Sequence, residues 1–221
     1  MQLKEIRQKV RQLLDDYDPS TLDVDRYWIN AELNEYINAC IEEMCERTRC
    51  ITDSLSTICL IPLVAGQRHY DLDDSVLDVV RVQPSWSLTP LSTQGISTAG
   101  ADWLQAVGLP LEYLLDYSNG KLSITSAPAT VSGEYLQLTV RRLPLKELSA
   151  DTDIPEISRQ YHRKLYDGVL SMAYLKQDAE TYNPSKAKAH RDKWDTILST
   201  TVRRESRLKP RVTVARQTEM C

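Results

Sequence analysis

Helical periodicity occupies both ends of this chain and is missing from its middle, and that segregation restricts the fold more than any other feature. Leu3, Ile6, Val10, Leu13, Leu14 and Tyr17 fall at helical spacing with charges between them, predicting an amphipathic helix over residues 3–17. The acidic, Pro-containing turn DDYDPSTLDVD ends it. A second stripe, Ile29, Leu33, Tyr36, Ile37, Cys40, Ile41 and Met44, follows with Asn30 as candidate N-cap. Helical spacing returns from about 155 to 178. It returns again after Asn183-Pro184, an N-cap followed by Pro at the first helical position, with Ala187, His190, Trp194, Ile197, Leu198 and Thr201 on one face.

Between residues 55 and 147 the texture is different: STICLIPL, RHYDL, VLDVVRVQP, EYLLDY, KLSIT and YLQLTVRRL are short β-rich runs. Ala65-Gly66, Asn119-Gly120 and Ser132-Gly133 punctuate them, and Asn119-Gly120 is the strongest hairpin signal. ADWLQAVG reads as one helical turn among the strands. No helix of this set can hide its stripe alone. The expected fold is therefore α+β: a four-helix bundle, two helices N-terminal and two C-terminal, with a small antiparallel β module inserted and a flexible C-terminal tail. The expected boundaries are 1–54 plus 150–206 for the bundle, 55–149 for the β module and 207–221 for the tail.

Charge narrows the partners. Residues 1–50 carry 7 basic and 11 acidic groups, 51–150 carry 6 and 10, and 151–221 carry 14 and 10, for a net −4. Most of the chain would repel a nucleic-acid backbone. The exception runs from 203 to 216, where Arg203, Arg204, Arg207, Lys209, Arg211 and Arg216 face one acid, Glu205. A nucleic-acid-binding module using this segment is the alternative reading; against it, the basic groups are few and lack interleaved aromatics. No apolar run approaches the ~18 residues of a membrane span, and the charged N-terminus lacks the apolar core of a signal peptide, so no membrane role is expected.

Chemistry finds little support. Cys40, Cys45 and Cys50 stand five apart on one helix and so rotate off a common face, and no metal-ligand spacing accompanies them, Cys59 or Cys221. They read as reduced structural thiols. No Gly-x-Ser-x-Gly elbow and no phosphate loop occurs. The stretch RQYHRKLYDGVLSMAYLKQD concentrates titratable groups, but at ~100° per residue His162 falls within the apolar arc while Lys164 and Asp167 fall opposite. His162 reads as a packing residue beside Tyr161, Leu165, Tyr166, Val169, Leu170 and Met172. That arc spans ~220°, wide enough for burial on two sides. His190 is expected to pack on Trp194, and His69 to sit at the surface or half-buried in a strand beside Tyr70. No enzyme, metal or cofactor is expected.

The order of several segments resembles a known family. YWINAELNEYINACIEEMCER, HYDLDDSVLDVVRV, ADWLQAVGLPLEYLLDYSNGKLSITSAP, LPLKELSADTDIPEISRQYHRKLYDGVLSMAYLKQDAETYN and AKAHRDKWDTIL, spread over residues 5–200, are together similar to the head–tail adaptor (connector) proteins of tailed bacteriophages. One departure is that Asp71-Leu72-Asp73 follows Tyr70 where many relatives have Leu-Pro. The resemblance implies a non-enzymatic virion protein, made in the host cytoplasm. It implies a homo-oligomeric ring, commonly a dodecamer, that joins the portal protein to a tail or nozzle protein and lets genomic DNA pass non-specifically through its channel. It further implies that the helix from Ile157 to Asp178 serves bundle core and subunit contact, and that the segment from Arg203 docks on the portal.

Overall fold

The computed structural model describes residues 1–18, 26–83, 88–90, 106–116, 119–130, 133–178 and 180–208. They divide into two compact units. One comprises residues 1–48, 149–154 and those from 159 onward; the other comprises 49–148 with 155–158.

The helical unit contains α1 (Leu3–Leu13), α2 (Asn30–Thr48), α3 (Arg159–His162), α4 (Leu165–Ala173) and α5 (Pro184–Leu208). α1 buries Leu3, Ile6 and Val10 and also Arg7 and Arg11, whose guanidinium groups are paired rather than solvated. Arg7 bonds Asp151 and, at 3.0 Å, the Asn34 amide; Arg11 bonds Asp16 at 2.7 Å and the Asn30 side chain at 3.0 Å. Asn30 therefore lies inside α2 and serves Arg11. The entry to α2 is instead closed by Glu32, whose carboxylate accepts the Ile29 amide at 3.1 Å. Asn183 does cap α5, accepting the Lys186 amide at 3.0 Å.

The expected four-helix bundle does not form. The mixed α+β character holds, but the third helix, expected to run from 155 to 178, is a single turn followed by the nine-residue α4. The two are separated at Arg163–Lys164, where the Lys164 amide bonds the Tyr161 carbonyl at 2.9 Å. α4 ends at Ala173, where the chain tightens into turns: the Ala173 carbonyl accepts the Lys176 amide at 3.2 Å as well as the Trp28 indole at 3.1 Å. Nine residues cannot run alongside the 19 of α2 and the 25 of α5, so four matched helices are excluded. Instead α2, α4 and α5 pack on one another, and α1 lies against α2 and α4. Gly168 is the point of closest approach: a Cβ there would stand 2.7 Å from Cys40 Sγ and 3.0 Å from the Trp194 ring. Most of the wide arc is thus covered within its own unit, while Leu175 stays exposed and Tyr166 and Met172 are half-buried.

The β unit also departs from expectation, because it is not a single antiparallel module. β1 (Thr52–Asp53), β2 (Leu60–Pro62), β4 (Val76–Gln83) and β8 (Tyr135–Arg142) form sheet A, with β8 central: β1 and β2 pair along one edge of it and β4 along the other. β3 (His69–Asp71), β7 (Lys121–Ile124), β6 (Glu112–Asp116) and β5 (Thr89–Pro90) form sheet B in that order, with β5 parallel to β6. β6 and β7 pair antiparallel across Asn119-Gly120, where Gly120 takes φ +60°. Both sheets turn one face inward to a shared core that includes Cys59, Tyr70, Val79, Val82, Tyr113, Leu122, Leu136, Leu138 and Val140. Residues 101–105 of the expected turn ADWLQAVG, and the expected tail from 209 to 221, lie outside the described residues.

Candidate functional site

The sequence-derived candidates among the described residues each have a definite place. Tyr161, His162, Leu165, Val169 and Leu170 are buried, and Tyr166 and Met172 are half-buried. His162 Nδ1 lies 3.2 Å from the Met1 amine, the Tyr161 hydroxyl donates to Glu205, and the Tyr166 hydroxyl donates to Met1 Sδ at 3.7 Å. Burial pushes the Tyr166 phenol up from its ordinary value. These contacts bind α3 and α4 to the chain start and to α5.

His190 does not rest on Trp194 as expected. It stacks on Tyr174, ring centroids 5.8 Å apart, and its Nδ1 sits 2.8 Å from Asp167 Oδ1. Lys186 lies over the same Tyr174 ring at 5.1 Å. A carboxylate orienting an imidazole is half of a catalytic triad. Here the neighbours of the pair are an aromatic ring and a lysine on the next turn, and the pair joins α4 to α5. His69 offers the other half: its Nδ1 is 2.7 Å from Ser123 Oγ, directly across the β3–β7 ladder. An acyl-transfer site needs the amide after its serine free for an oxyanion. The Ile124 amide is instead donated to the Arg68 carbonyl at 3.0 Å. Among the described residues, the two pairs are separate: His190 bonds Asp167 and His69 bonds Ser123.

Cys40, Cys45 and Cys59 are buried and Cys50 is half-buried, none of the four in a disulfide; burial pushes the Cys40 thiol well up. Among the described residues no cluster of three His, Cys, Asp or Glu side chains could hold a metal ion. No helix of the described chain is long and apolar enough to cross a membrane.

A four-donor carboxylate ties α2 to α5. Glu43 accepts from both terminal nitrogens of Arg191, from the Trp194 indole at 2.9 Å and from Arg47 at 2.9 Å, and Arg47 also reaches Asp195. Burial pushes the Glu43 carboxyl up, but the hydrogen bonds from Arg191, Trp194 and Arg47 outweigh it and hold the group below its ordinary value. A single carboxylate with four donors from two helices is a structural fastener. Sequence spacing could have shown Glu43 and Arg47 as a helical pair, but no local signal points across 148 residues to Arg191.

The basic segment is split. Arg203, Arg204 and Arg207 are exposed on the last two turns of α5, so they belong to a helix and not to a tail. Lys209, Arg211 and Arg216 lie outside the described residues. Cationic side chains at a helix C-terminus are favoured by the helix dipole and present their charge outward.

The chain as a whole also has a relative: the model of a family described as SU10 adaptor protein matches residues 1–215. No curated protein matches the chain.

Proposed function

The chain belongs to the SU10 adaptor protein family, a phage adaptor family of structural virion proteins, and on that footing we propose that it forms the ring that joins portal to tail and lines the DNA channel. The observation that carries the reading is the basic end of α5. Three exposed arginines on a helix, continuing in sequence to Lys209, Arg211 and Arg216, stand on a chain of net charge −4. An acidic wall lets DNA slide without adhering, because like charges repel the phosphate backbone. A concentrated basic segment serves the opposite purpose: it docks on an acidic surface of the portal, gaining encounter rate and register from charge complementarity. The ring, of twelve copies by resemblance, uses the portal above and a tail or nozzle protein below as its partners.

The test separates helix from tail. Truncation after Leu208 removes three of the six basic groups and leaves α5 whole. Reversal of Arg203, Arg204 and Arg207 to Glu keeps the tail and inverts the helix end. Deleting from 203 would be a poorer test, since it removes Glu205, the partner of buried Tyr161. Either change is expected to weaken binding to the portal protein by about tenfold or more and to flatten its salt dependence. Portal affinity unchanged in both variants would refute the docking role. A retarded duplex DNA band at moderate salt, abolished by the same changes, would instead favour the nucleic-acid reading.

A further inference from the structure

A ring needs two surfaces on every subunit, one for each neighbour. Most of the apolar arc of α4 is spent on α2 and α5. The β unit offers two unlike faces. In sheet A, Leu60 and Pro62 stand directly opposite Gln137 and Tyr135, on the face away from buried Leu136 and Leu138. Leu60 is 42% exposed and Tyr135 53%. Beside them Leu55 is 88% exposed, at the tip of a loop that is rigidly held. The Asp53 carboxylate accepts the Leu55 amide, the Ser56 amide and hydroxyl and Arg142 Nε, while the Gln137 side chain donates to the Ser54 carbonyl at 3.2 Å. An apolar side chain so held out has already lost the freedom that binding would otherwise remove. The same face carries Arg81, opposite Thr139, and Arg141, opposite Asp78: two cations against one carboxylate among the described residues.

Sheet B turns its outer face the other way and carries the opposite charge. Register places Glu112 and Asp116 of β6, Asp71 of β3 and Lys121 of β7 on the face away from buried Tyr70, Tyr113 and Leu122. That is three carboxylates against one lysine among the described residues. Val107, Leu109 and Leu111, which lead into β6, are 67%, 60% and 61% exposed. They stand at the β6 end of sheet B, next to Glu112 in the chain, and large exposed apolar residues beside charge mark an interaction surface.

We propose that the outer face of sheet A in one copy, with Leu55, Leu60 and Tyr135 at its centre, docks on the sheet B side of a second copy, with Leu109 and Leu111 and the carboxylates Glu112 and Asp116. The occupant of each face is another copy of this chain, because the two faces are complementary in charge and lie on opposite sides of one sandwich. Two unlike faces make a head-to-tail contact, which leaves every copy with one face still open and closes only as a ring. Two like faces would stop at a dimer. The assignment rests on the ring reading above and adds the surfaces that close it.

Paired variants test it by light scattering on the full chain, alone and with the portal protein. Leu55→Asp with Tyr135→Asp disables one face, and Leu109→Asp with Leu111→Asp the other; all four side chains are exposed, so unfolding midpoints should stay near the parent's. Each variant alone is expected to remain monomeric, with self-association weakened by about tenfold or more. Mixed in equal amounts, the two are expected to stop at dimers, since one sound face of each kind remains. Should either fail to fold, charge reversal decides: Arg81→Glu weakens assembly and Glu112→Arg in the same chain restores it. Variants that assemble like a ring-forming parent would overturn the surface assignment and leave the ring intact. A parent that stays monomeric even with the portal would overturn both.

Discussion

Replacing Gly168 by Ala tests the packing on which the helical unit depends, because two opposed effects set the sign. In an ordinary helix the change stabilises by about 1 kcal/mol, since alanine loses less backbone freedom. Here the added Cβ would lie 2.7 Å from Cys40 Sγ and 3.0 Å from Trp194 Cδ2 and Cε2. Comfortable separations are about 3.5–4.0 Å, so the overlap approaches about 1 Å at the sulfur. Neither neighbour can yield to solvent: Cys40 and Trp194 are fully buried, and the indole N–H is held on Glu43. Overpacking of this kind costs about 1–3 kcal/mol, which exceeds the helix gain at most of that range. The expected net effect is a loss of up to about 2 kcal/mol. Urea unfolding followed by tryptophan fluorescence reads it directly, since Trp28 and Trp194 both belong to this unit. Cys40→Ala removes the closest contact. Gly168→Ala should therefore cost less in that background, with a coupling of about 1 kcal/mol in the double-mutant cycle. A Gly168→Ala protein more stable than its parent, or a cycle with no coupling, would refute the close approach.

Glu43→Gln keeps the shape of the α2–α5 fastener but removes its charge, leaving Arg191 and Arg47 facing a neutral amide; thermal unfolding should show a loss of about 1.5–3 kcal/mol, and an unchanged midpoint would count against a structural role. Acid should act on the same contacts. Glu43 is held below its ordinary value as described, and Asp53 is too: burial raises it, but the Ser56 hydroxyl, the Leu55 amide and Arg142 together lower it strongly. With folded values depressed, the unfolded chain takes up protons first, so this stability is complete above the ordinary carboxylate range near ~4 and is lost as pH falls through the folded values. The urea midpoint should be flat from about pH 7 to 5 and fall below about pH 4, less steeply in Asp53→Asn. A midpoint that rises on acidification would contradict the pairing.

The helices whose stripes match one partner face were legible from spacing alone, and α1, α2 and α5 lie within the periodic segments. Where α4 ends was not, because Leu175 continues the apolar period while the backbone past Ala173 tightens into turns around a carbonyl shared by the Lys176 amide and a tryptophan 145 residues earlier. Asn30 looked like a cap since its side chain suits one, yet Arg11 uses it. His190 lay four residues from Trp194 and in fact meets Tyr174 and Asp167, on another helix. The β segments were recognisable as strands, but a run of alternating residues does not say which run it pairs with. Two sheets and a parallel β5–β6 pair follow from long-range registers that no local pattern encodes.

By itself, then, the order of residues determined what depends on near neighbours: where the chain turns helical or extended, its acidic balance with a basic end, and the ordered segments by which it resembles phage adaptors. Those properties rest on backbone geometry, side-chain period and charge count. Tertiary structure decided which apolar faces were consumed and which were left for partners. Gly168 lets α4 sink between α2 and α5, so most of its wide apolar arc became interior. Leu55, Tyr135, Leu109 and Leu111, unremarked in the sequence, became the exposed faces, because burial is a property of which segments meet.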